Sequence, residues 1–294
     1  KTTSGLEVFL DRFSNSCREV AQGGRRGALM ITLSVHHPQI RDFIKIKRDL
    51  SRVTGANISV RLTEEFMCAV RGGDPINLRF PVESKSPIVE EWVDAKELWH
   101  EIVESAHEAG EPGLLFWDTA KSMTPADIYK TEGFGSTSTN PCGEIILSPY
   151  DSCRLMLVNL TSFVTNAWSR EEASFDETRF GEVVQKAQRL MDDMIDLEIE
   201  KIDKIIEKVK SDPEPAEAKQ PELNLWDKIR KQAVAGRRTG LGITGLGDAT
   251  AMLGIKYGSK KSIEVTEIIY RALGTNSYIS SMIMAKERGS FEVH

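Results

Sequence analysis

The chain has 294 residues, enough for one or two domains at about 150 residues each and for a sizeable core. Its 40% hydrophobic and 28% charged residues exclude whole-chain disorder, and no apolar run reaches the roughly 20 residues of a membrane span. With 38 Lys and Arg against 44 Asp and Glu, the net charge of −6 excludes a basic nucleic-acid coat, so no direct DNA binding is expected.

Residues 5–21 read as an amphipathic helix capped by Ser4, with Leu6, Phe9, Leu10, Phe13, Cys17 and Val20 recurring at three and four. A basic glycine turn, Gln22-Gly23-Gly24-Arg25-Arg26-Gly27, precedes a buried strand over 28–35. Pro38 opens a helix over 39–48. Residues 57–61 read as a strand, and Thr63 starts a helix through Val70. Residues 72–85 are polar and read as turns. Asp94 caps a helix through His107, and residues 114–117 form an apolar strand. Another strand falls within 136–147. Residues 180–210 carry the apolar stripe of a long helix, and 211–221, with three prolines, reads as a surface excursion. Residues 224–235 are helical, 236–247 glycine-rich, and 264–288 a closing helix. Strand and helix alternate, which predicts an α/β fold with parallel pairing.

Four cysteines, Cys17, Cys68, Cys142 and Cys153, are too few for a disulfide scaffold. They predict a reducing, cytoplasmic setting. The start on Lys1, without Met or signal peptide, and the end just behind a helical pattern suggest a piece of a longer polypeptide.

The most informative stretch is Ser138-Thr139-Asn140-Pro141-Cys142-Gly143-Glu144. Were it extended, Asn140, Cys142 and Glu144 would share one edge. Glu can move a proton, Cys can react, and Asn can orient a hydroxyl. The alternative is a structural loop. Cys153 is either a buried small hydrophobe or a redox thiol. No second Cys or His stands at ligand spacing, so no zinc site is predicted. The glycine turn over Gln22–Gly27 is either a phosphate- or base-contacting loop or a surface turn.

Gly240-Leu241-Gly242-Ile243-Thr244-Gly245 matches GxGxxG, but no strand is predicted before it. It reads as a tight loop ahead of a helix, which argues against a dinucleotide oxidoreductase. His36 and His37 read as helix entry, and His100 and His107 stand too far apart on their helix to chelate one ion. Cys17 and Cys68 read as core. The acidic run Asp192, Asp193, Asp196, Glu198, Glu200 reads as a solvated face, so no metal ligands are assigned.

Six segments, in order, resemble one family. They are Gln22–Gly27; His37-Pro38-Gln39-Ile40 with Phe43, Ile44 and Lys47; and Asn57-Ile58-Ser59-Val60 with Thr63, Phe66 and Met67. Asn140-Pro141-Cys142-Gly143-Glu144, Ser152-Cys153-Arg154-Leu155 with Asn159-Leu160, and Arg237-Arg238-Thr239-Gly240-Leu241-Gly242 complete them. Together they resemble the ribonucleotide reductase large chain. The Pro and Gly beside Cys142 and the eleven residues to Cys153 are most similar to the adenosylcobalamin-dependent class. The insertion near 207–222 is similar to a bacterial branch acting on diphosphates.

The resemblance implies a ten-stranded α/β barrel with the radical cysteine on an inner finger loop. Residues 1–294 would be about its first half, with a charged helical excursion near 200–225. Cys142 would be the transient thiyl, Glu144 would take the 3′-hydroxyl proton, and Asn140 would hold a ribose hydroxyl. Ser138–Glu144 would line the substrate. Cys153 would be one of two reducing thiols, with its partner upstream of this chain. Gln22 and Arg26, within the specificity loop Gln22–Gly27, would contact the base and relay effector identity. Adenosylcobalamin and an external dithiol such as thioredoxin are the implied cofactor and reductant. The implied partners are a ribonucleoside di- or triphosphate, deoxynucleotide or ATP effectors, and a second copy in a homodimer when full length.

Two further readings remain at this point. One is a large chain of the class that uses a separate radical-generating subunit. The other is an inactive nucleotide-binding regulatory paralogue. Nothing before Cys17 fits the second reducing thiol, and the family's effector site and C-terminal thiol shuttle fall outside the chain. Turnover by this polypeptide alone is therefore not expected.

Overall fold

The structure, a computed structural model, describes residues 5–20, 24–25, 27–152 and 154–294. Ser4, Gln22, Gly23, Arg26 and Cys153 lie outside the described residues. The chain divides into two compact units, Lys1–Pro149 and Tyr150–His294.

The first unit opens with helix α1 (Leu6–Glu19), strand β1 (Met30–Ser34) and helix α2 (Ile40–Lys45), which tightens into a 3-10 turn over Ile46–Arg48. Gly5, rather than Ser4, holds the cap position of α1. Strand β2 (Asn57–Leu62), helix α3 (Glu64–Gly72), strands β3 (Pro75–Phe80) and β4 (Val89–Asp94), helix α4 (Ala95–Ala109), strand β5 (Gly113–Phe116) and helix α5 (Trp117–Met123) follow. A 3-10 stretch over Pro125–Glu132 leads into two short strands, β6 (Ser138–Thr139) and β7 (Ile146–Leu147).

Strands β1, β2 and β5 form a parallel sheet with β2 at its centre. Helical crossovers join them, as parallel pairing requires. In β2 the side chains alternate. Ile58, Val60 and Leu62 are buried against Ile40, Phe43, Ile44, Phe66, Leu98 and Ile102. Each such side chain contributes about 1.5–3 kcal/mol by leaving water. Asn57, Ser59 and Arg61 therefore fall on the opposite, polar face.

The stretch expected to be turns, 72–85, instead holds β3, paired antiparallel with β4. Ile76 and Leu78 are buried in the core while Asn77 and Arg79 alternate with them. The strand period is present, but Asp74-Pro75 and Pro81 read as punctuation and masked it.

His36, just beyond β1, is buried. Its Nδ1 donates to the Asn77 carbonyl at 3.1 Å, which leaves Nε2 to accept from the Thr63 hydroxyl at 2.8 Å. Thr63 in turn caps α3 by accepting from Phe66 N at 3.1 Å. One imidazole thus ties β1 to β3 and to the start of α3.

The second unit opens with β8 (Leu155–Asn159), a 3-10 turn over Leu160–Phe163, and strands β9 (Val164–Thr165) and β10 (Ser174–Phe175). Helices α6 (Glu177–Ser211) and α7 (Ala216–Gly236), strand β11 (Gly240–Thr244), and helices α8 (Leu246–Met252) and α9 (Lys260–Arg288) complete it. Phe163, Phe175 and Phe180 stack edge-on or tilted with centroids 5.2–6.2 Å apart. They pack with Val184, Ile269 and Leu273. Helices α6 and α9 approach closely at Gly181, where a Cβ would lie 2.7 Å from Asn276 Nδ2.

Two expectations change in this unit. The proline-rich stretch is only a short turn, because α7 starts at Ala216 and carries Pro221 inside it. Pro215 holds the cap, where a missing N–H costs no intrahelical bond. The glycine-rich segment is a strand, not a loop, since β11 pairs parallel with β8. A Cβ on Gly240 would lie 2.7 Å from the Arg154 carbonyl oxygen, so glycine allows two backbones to approach there.

The described residues form a mixed α/β structure of one three-stranded and four two-stranded sheets. None of these closes into a barrel. No helix among the described residues is long and apolar enough to cross a membrane.

Burial holds the His36 pKa below the ordinary imidazole value of 6.5, so the folded chain keeps it neutral where the unfolded chain binds a proton. That contribution to stability is complete above pH 6.5 and is lost as pH falls through the folded pKa. Urea unfolding at pH 7.5 and 5.5 is expected to show a steeper acid loss in the native chain than in His36→Gln. Equal slopes would contradict the assignment.

Candidate active site

Strands β6 and β7 pair antiparallel, Ser138 with Leu147 and Thr139 with Ile146. Between them Asn140–Gly143 make a turn, closed by Gly143 N donating to the Asn140 carbonyl at 3.0 Å. Proline at the second turn position and glycine at the fourth suit this geometry. Gly143 has φ +84°, a region that other residues enter only with strain. The segment is a hairpin tip, not an extended edge. The expected alternation of Asn140, Cys142 and Glu144 along one strand is therefore replaced by a turn.

Asn140 braces this tip. Its backbone N donates to Ile145 O at 3.0 Å, and its Oδ1 accepts from Ile145 N at 2.9 Å. The residue is buried, and its Nδ2 has no partner among the described residues. It offers an amide donor. Cys142 is an exposed free thiol, and Glu144 is exposed beside it. Thr139 Oγ1 is buried without a partner.

The hairpin lies on the polar face of the parallel sheet. Thr32 in β1 is the register partner of Ser59 in β2, and its hydroxyl is 3.2 Å from Ser138 Oγ. Asn57 Nδ2 donates to Pro141 O at 2.8 Å. Arg61 donates to Thr137 O at 3.2 Å and lies 5.2 Å from the Trp117 ring centroid. Burial pushes the Arg61 pKa down, and no carboxylate pairs with it among the described residues. These three clips were missed in the sequence reading. The polar–apolar alternation over 57–62 was the available signal.

In the second unit the residues flanking position 153 are tightly held. Asp151, whose side chain is 2% exposed, pairs with Arg238 at 2.8 Å. Arg154 is buried, pairs with Glu198, and donates to the Arg238 carbonyl at 3.0 Å. Two crossed ion pairs thus bracket the segment that carries Cys153. Of the basic glycine turn, Gly24 has φ +86°. Gly27 packs so near α1 that a Cβ would lie 2.8 Å from the Cys17 carbonyl oxygen and sulfur.

The first unit thus joins a parallel sheet, helices on its apolar face and a cysteine hairpin on its polar face. The chain belongs to the ribonucleotide reductase family, whose barrel-domain profile matches residues 1–294. It is 33% identical over 293 residues to the vitamin B12-dependent ribonucleoside-diphosphate reductase of Mycobacterium tuberculosis (strain H37Rv), covering 99% of this chain and 36% of that protein. The Thermoplasma acidophilum protein of the same description is 32% identical over 290 residues, covering 98% of this chain and 33% of that protein. A vitamin B12-dependent ribonucleotide reductase of Streptomyces clavuligerus is 31% identical over 215 residues, 64% of this chain and 21% of that protein. The chain spans about a third of the length of the first two.

Other candidate residues do not join the site. Cys17 is half-buried, whereas Cys68 is exposed and not core. Its sulfur lies within hydrogen-bond reach of Glu64 and Arg71, on the outer side of a short amphipathic helix. His37 accepts from Gln39 N through Nδ1 at 3.1 Å, which is the expected helix entry. His100 and His107 are exposed.

The acidic run is not a simple solvated face. Asp192, Asp193 and Asp196 place carboxylate oxygens within 4.8 Å of one another, and arginines occupy them. Arg237 reaches Asp192 and Asp196, each at 2.8 Å. Arg288 reaches Asp192 and Asp193, each at 2.7 Å. The network clamps α6 to the ends of α7 and α9, and its two guanidinium groups offset two of the three negative charges and occupy an oxygen of each carboxylate. Titration with Mn²⁺ is expected to give no saturable signal from this cluster. Saturable binding that disappears in Asp192→Asn would contradict that.

Proposed function

We propose that the whole protein reduces ribonucleoside diphosphates to 2′-deoxyribonucleotides, with Cys142 as the hydrogen-abstracting thiyl. The observation that carries this is the hairpin tip Asn140–Glu144. It presents a thiol, a carboxylate and an unpartnered amide donor together on the polar side of a helix-backed parallel sheet. We read the chain as about half of a ten-stranded barrel, with this hairpin as its inner finger.

The chemistry proceeds from the Cys142 thiyl. The sulfur takes the hydrogen from ribose C3′, forming S–H and leaving a carbon radical. Glu144 accepts the 3′-hydroxyl proton, and Asn140 Nδ2 donates to a ribose hydroxyl to hold the sugar. The 2′-hydroxyl takes a proton from Cys153 or its partner thiol and leaves as water. The other thiol hydrogen goes to C2′ to form the new C–H bond, the two thiols together supply two electrons and become a disulfide, and Glu144 returns its proton to the 3′-oxygen. Cys142 then returns its hydrogen to C3′ and is again the thiyl. An external dithiol of the thioredoxin type re-reduces the disulfide, in keeping with a reducing cytoplasmic setting.

Adenosylcobalamin, the cofactor implied by the relatives' names, supplies the first radical when bound. The buried His36 has both ring nitrogens engaged, and His100 and His107 lie exposed on α4. No residue is therefore assigned to hold it. In the same reading Gln22 and Arg26 contact the base and relay the identity of deoxynucleotide or ATP effectors, and the whole protein is a homodimer.

In the whole protein supplied with adenosylcobalamin and a dithiol, Cys142→Ser is expected to abolish deoxynucleotide formation. Glu144→Gln is expected to lower kcat by about 10²–10⁴-fold, the range of a lost general acid–base group. Full activity in Cys142→Ser would overturn the reading. Wild-type activity that needs a second, radical-generating subunit would overturn the cobalamin assignment alone.

A further inference from the structure

Asn57 stands at the first position of β2, and its backbone is fixed from three directions. Asn57 N donates to the Leu29 carbonyl at 2.7 Å. Ile58 N donates to Glu111 Oε1 at 2.8 Å. The Ala56 carbonyl accepts from the Lys47 ammonium, which also pairs with Glu111. Lys47 is itself mostly buried, its side chain 12% exposed. A side chain on so constrained a residue is a pre-positioned donor.

That donor is aimed at one atom of the hairpin. Asn57 Nδ2 meets the Pro141 carbonyl oxygen at 2.8 Å, and this carbonyl belongs to the peptide bond that joins Pro141 to Cys142. At the other end of the same strand face, Arg61 holds the Thr137 carbonyl. Arg61 stands four positions after Asn57, and Pro141 four positions after Thr137. The 137–141 segment therefore crosses β2 in the opposite chain direction, with Pro141 at Asn57 and Thr137 at Arg61. Between these two clips, Ser138 meets Thr32 of the neighbouring strand β1. Within the tip, the turn bond to Gly143 and the bonds between Asn140 and Ile145 hold the loop that carries the cysteine among the described residues. These fix the shape of the loop but not its place on the sheet.

We infer that Asn57 is a positioning residue for Cys142, setting where the thiol stands relative to the sheet by holding the Pro141–Cys142 peptide. The inference rests on the proposed thiyl role of Cys142 for its kinetic consequence, but not for its structural one. Hydrogen transfer is sensitive to distance, and a misplacement of about 1 Å can cost about 10²-fold in rate. Asn57 touches no reacting atom, so its loss should fall on kcat and leave substrate KM in place.

The test uses the whole protein with Asn57→Asp, which keeps the shape but cannot donate, and Asn57→Gln, which keeps the donor. Peptide-resolved amide hydrogen exchange and steady-state kinetics are read on both. Asn57→Asp is expected to speed exchange in the 137–147 segment while β2 stays protected. Its kcat should fall about 10²-fold with KM unchanged, and Asn57→Gln should recover both readouts in part. Unchanged exchange in 137–147 would overturn the inference whatever the kinetics, as would faster exchange with unchanged kcat. Equal losses in the two variants would assign the effect to packing and overturn it as well. The exchange result is independent of the thiyl assignment, which fails separately if Cys142→Ser remains active.

Discussion

Strand β2 meets two environments at once. On one side Ile58, Val60 and Leu62 are sealed against α2, α3 and α4. On the other, Asn57, Ser59 and Arg61 face a polypeptide hairpin that needs hydrogen bonds rather than apolar surface. Side chains in a strand alternate strictly, so a register slip of one residue would bury Arg61 in the core and turn Val60 to the hairpin. The parallel pairing with β1 and β5 removes that freedom. Everything proposed for the cysteine loop depends on this strand keeping its two faces apart.

The proposed chemistry explains why such a loop would be clipped from beneath and braced from within. A thiyl radical abstracts hydrogen from whatever lies within reach, so selectivity comes from placement and from exclusion of competing donors. Asn140 spends its carbonyl and Oδ1 on the shape of the turn and keeps Nδ2 in reserve. In the second unit, the pairs Asp151–Arg238 and Arg154–Glu198 hold the backbone on either side of Cys153 by the same logic. Charged groups here serve as fasteners. The Asp192–Arg237–Arg288 network does the same for the long helices.

Much of this was legible in the residues. The helices with strong apolar period and polar caps, such as α3 behind Thr63 and α4 behind Asp94, stand where pattern and capping put them. The motif Asn140-Pro141-Cys142-Gly143-Glu144 singled out the loop. Its conformation is a turn and not an extended row, because Pro141 and Gly143 bend the chain. The β3–β4 hairpin and β11 were hidden by proline and glycine, residues that signal breaks locally yet tolerate strands at edges and close approaches. The clips Thr32, Asn57 and Arg61 were not legible one by one. They act only once β1 and β2 are in register, and that is tertiary information.

The central claim is that hydrogen leaves ribose C3′ for the Cys142 sulfur and returns from it. Turnover of a ribonucleoside diphosphate deuterated at C3′, by the whole protein in ordinary water, tests this most directly. The account predicts a primary isotope effect and a deoxynucleotide product that keeps its deuterium at C3′. Complete wash-out of the label to solvent with no isotope effect, or label retention with undiminished turnover in Cys142→Ser, would contradict it.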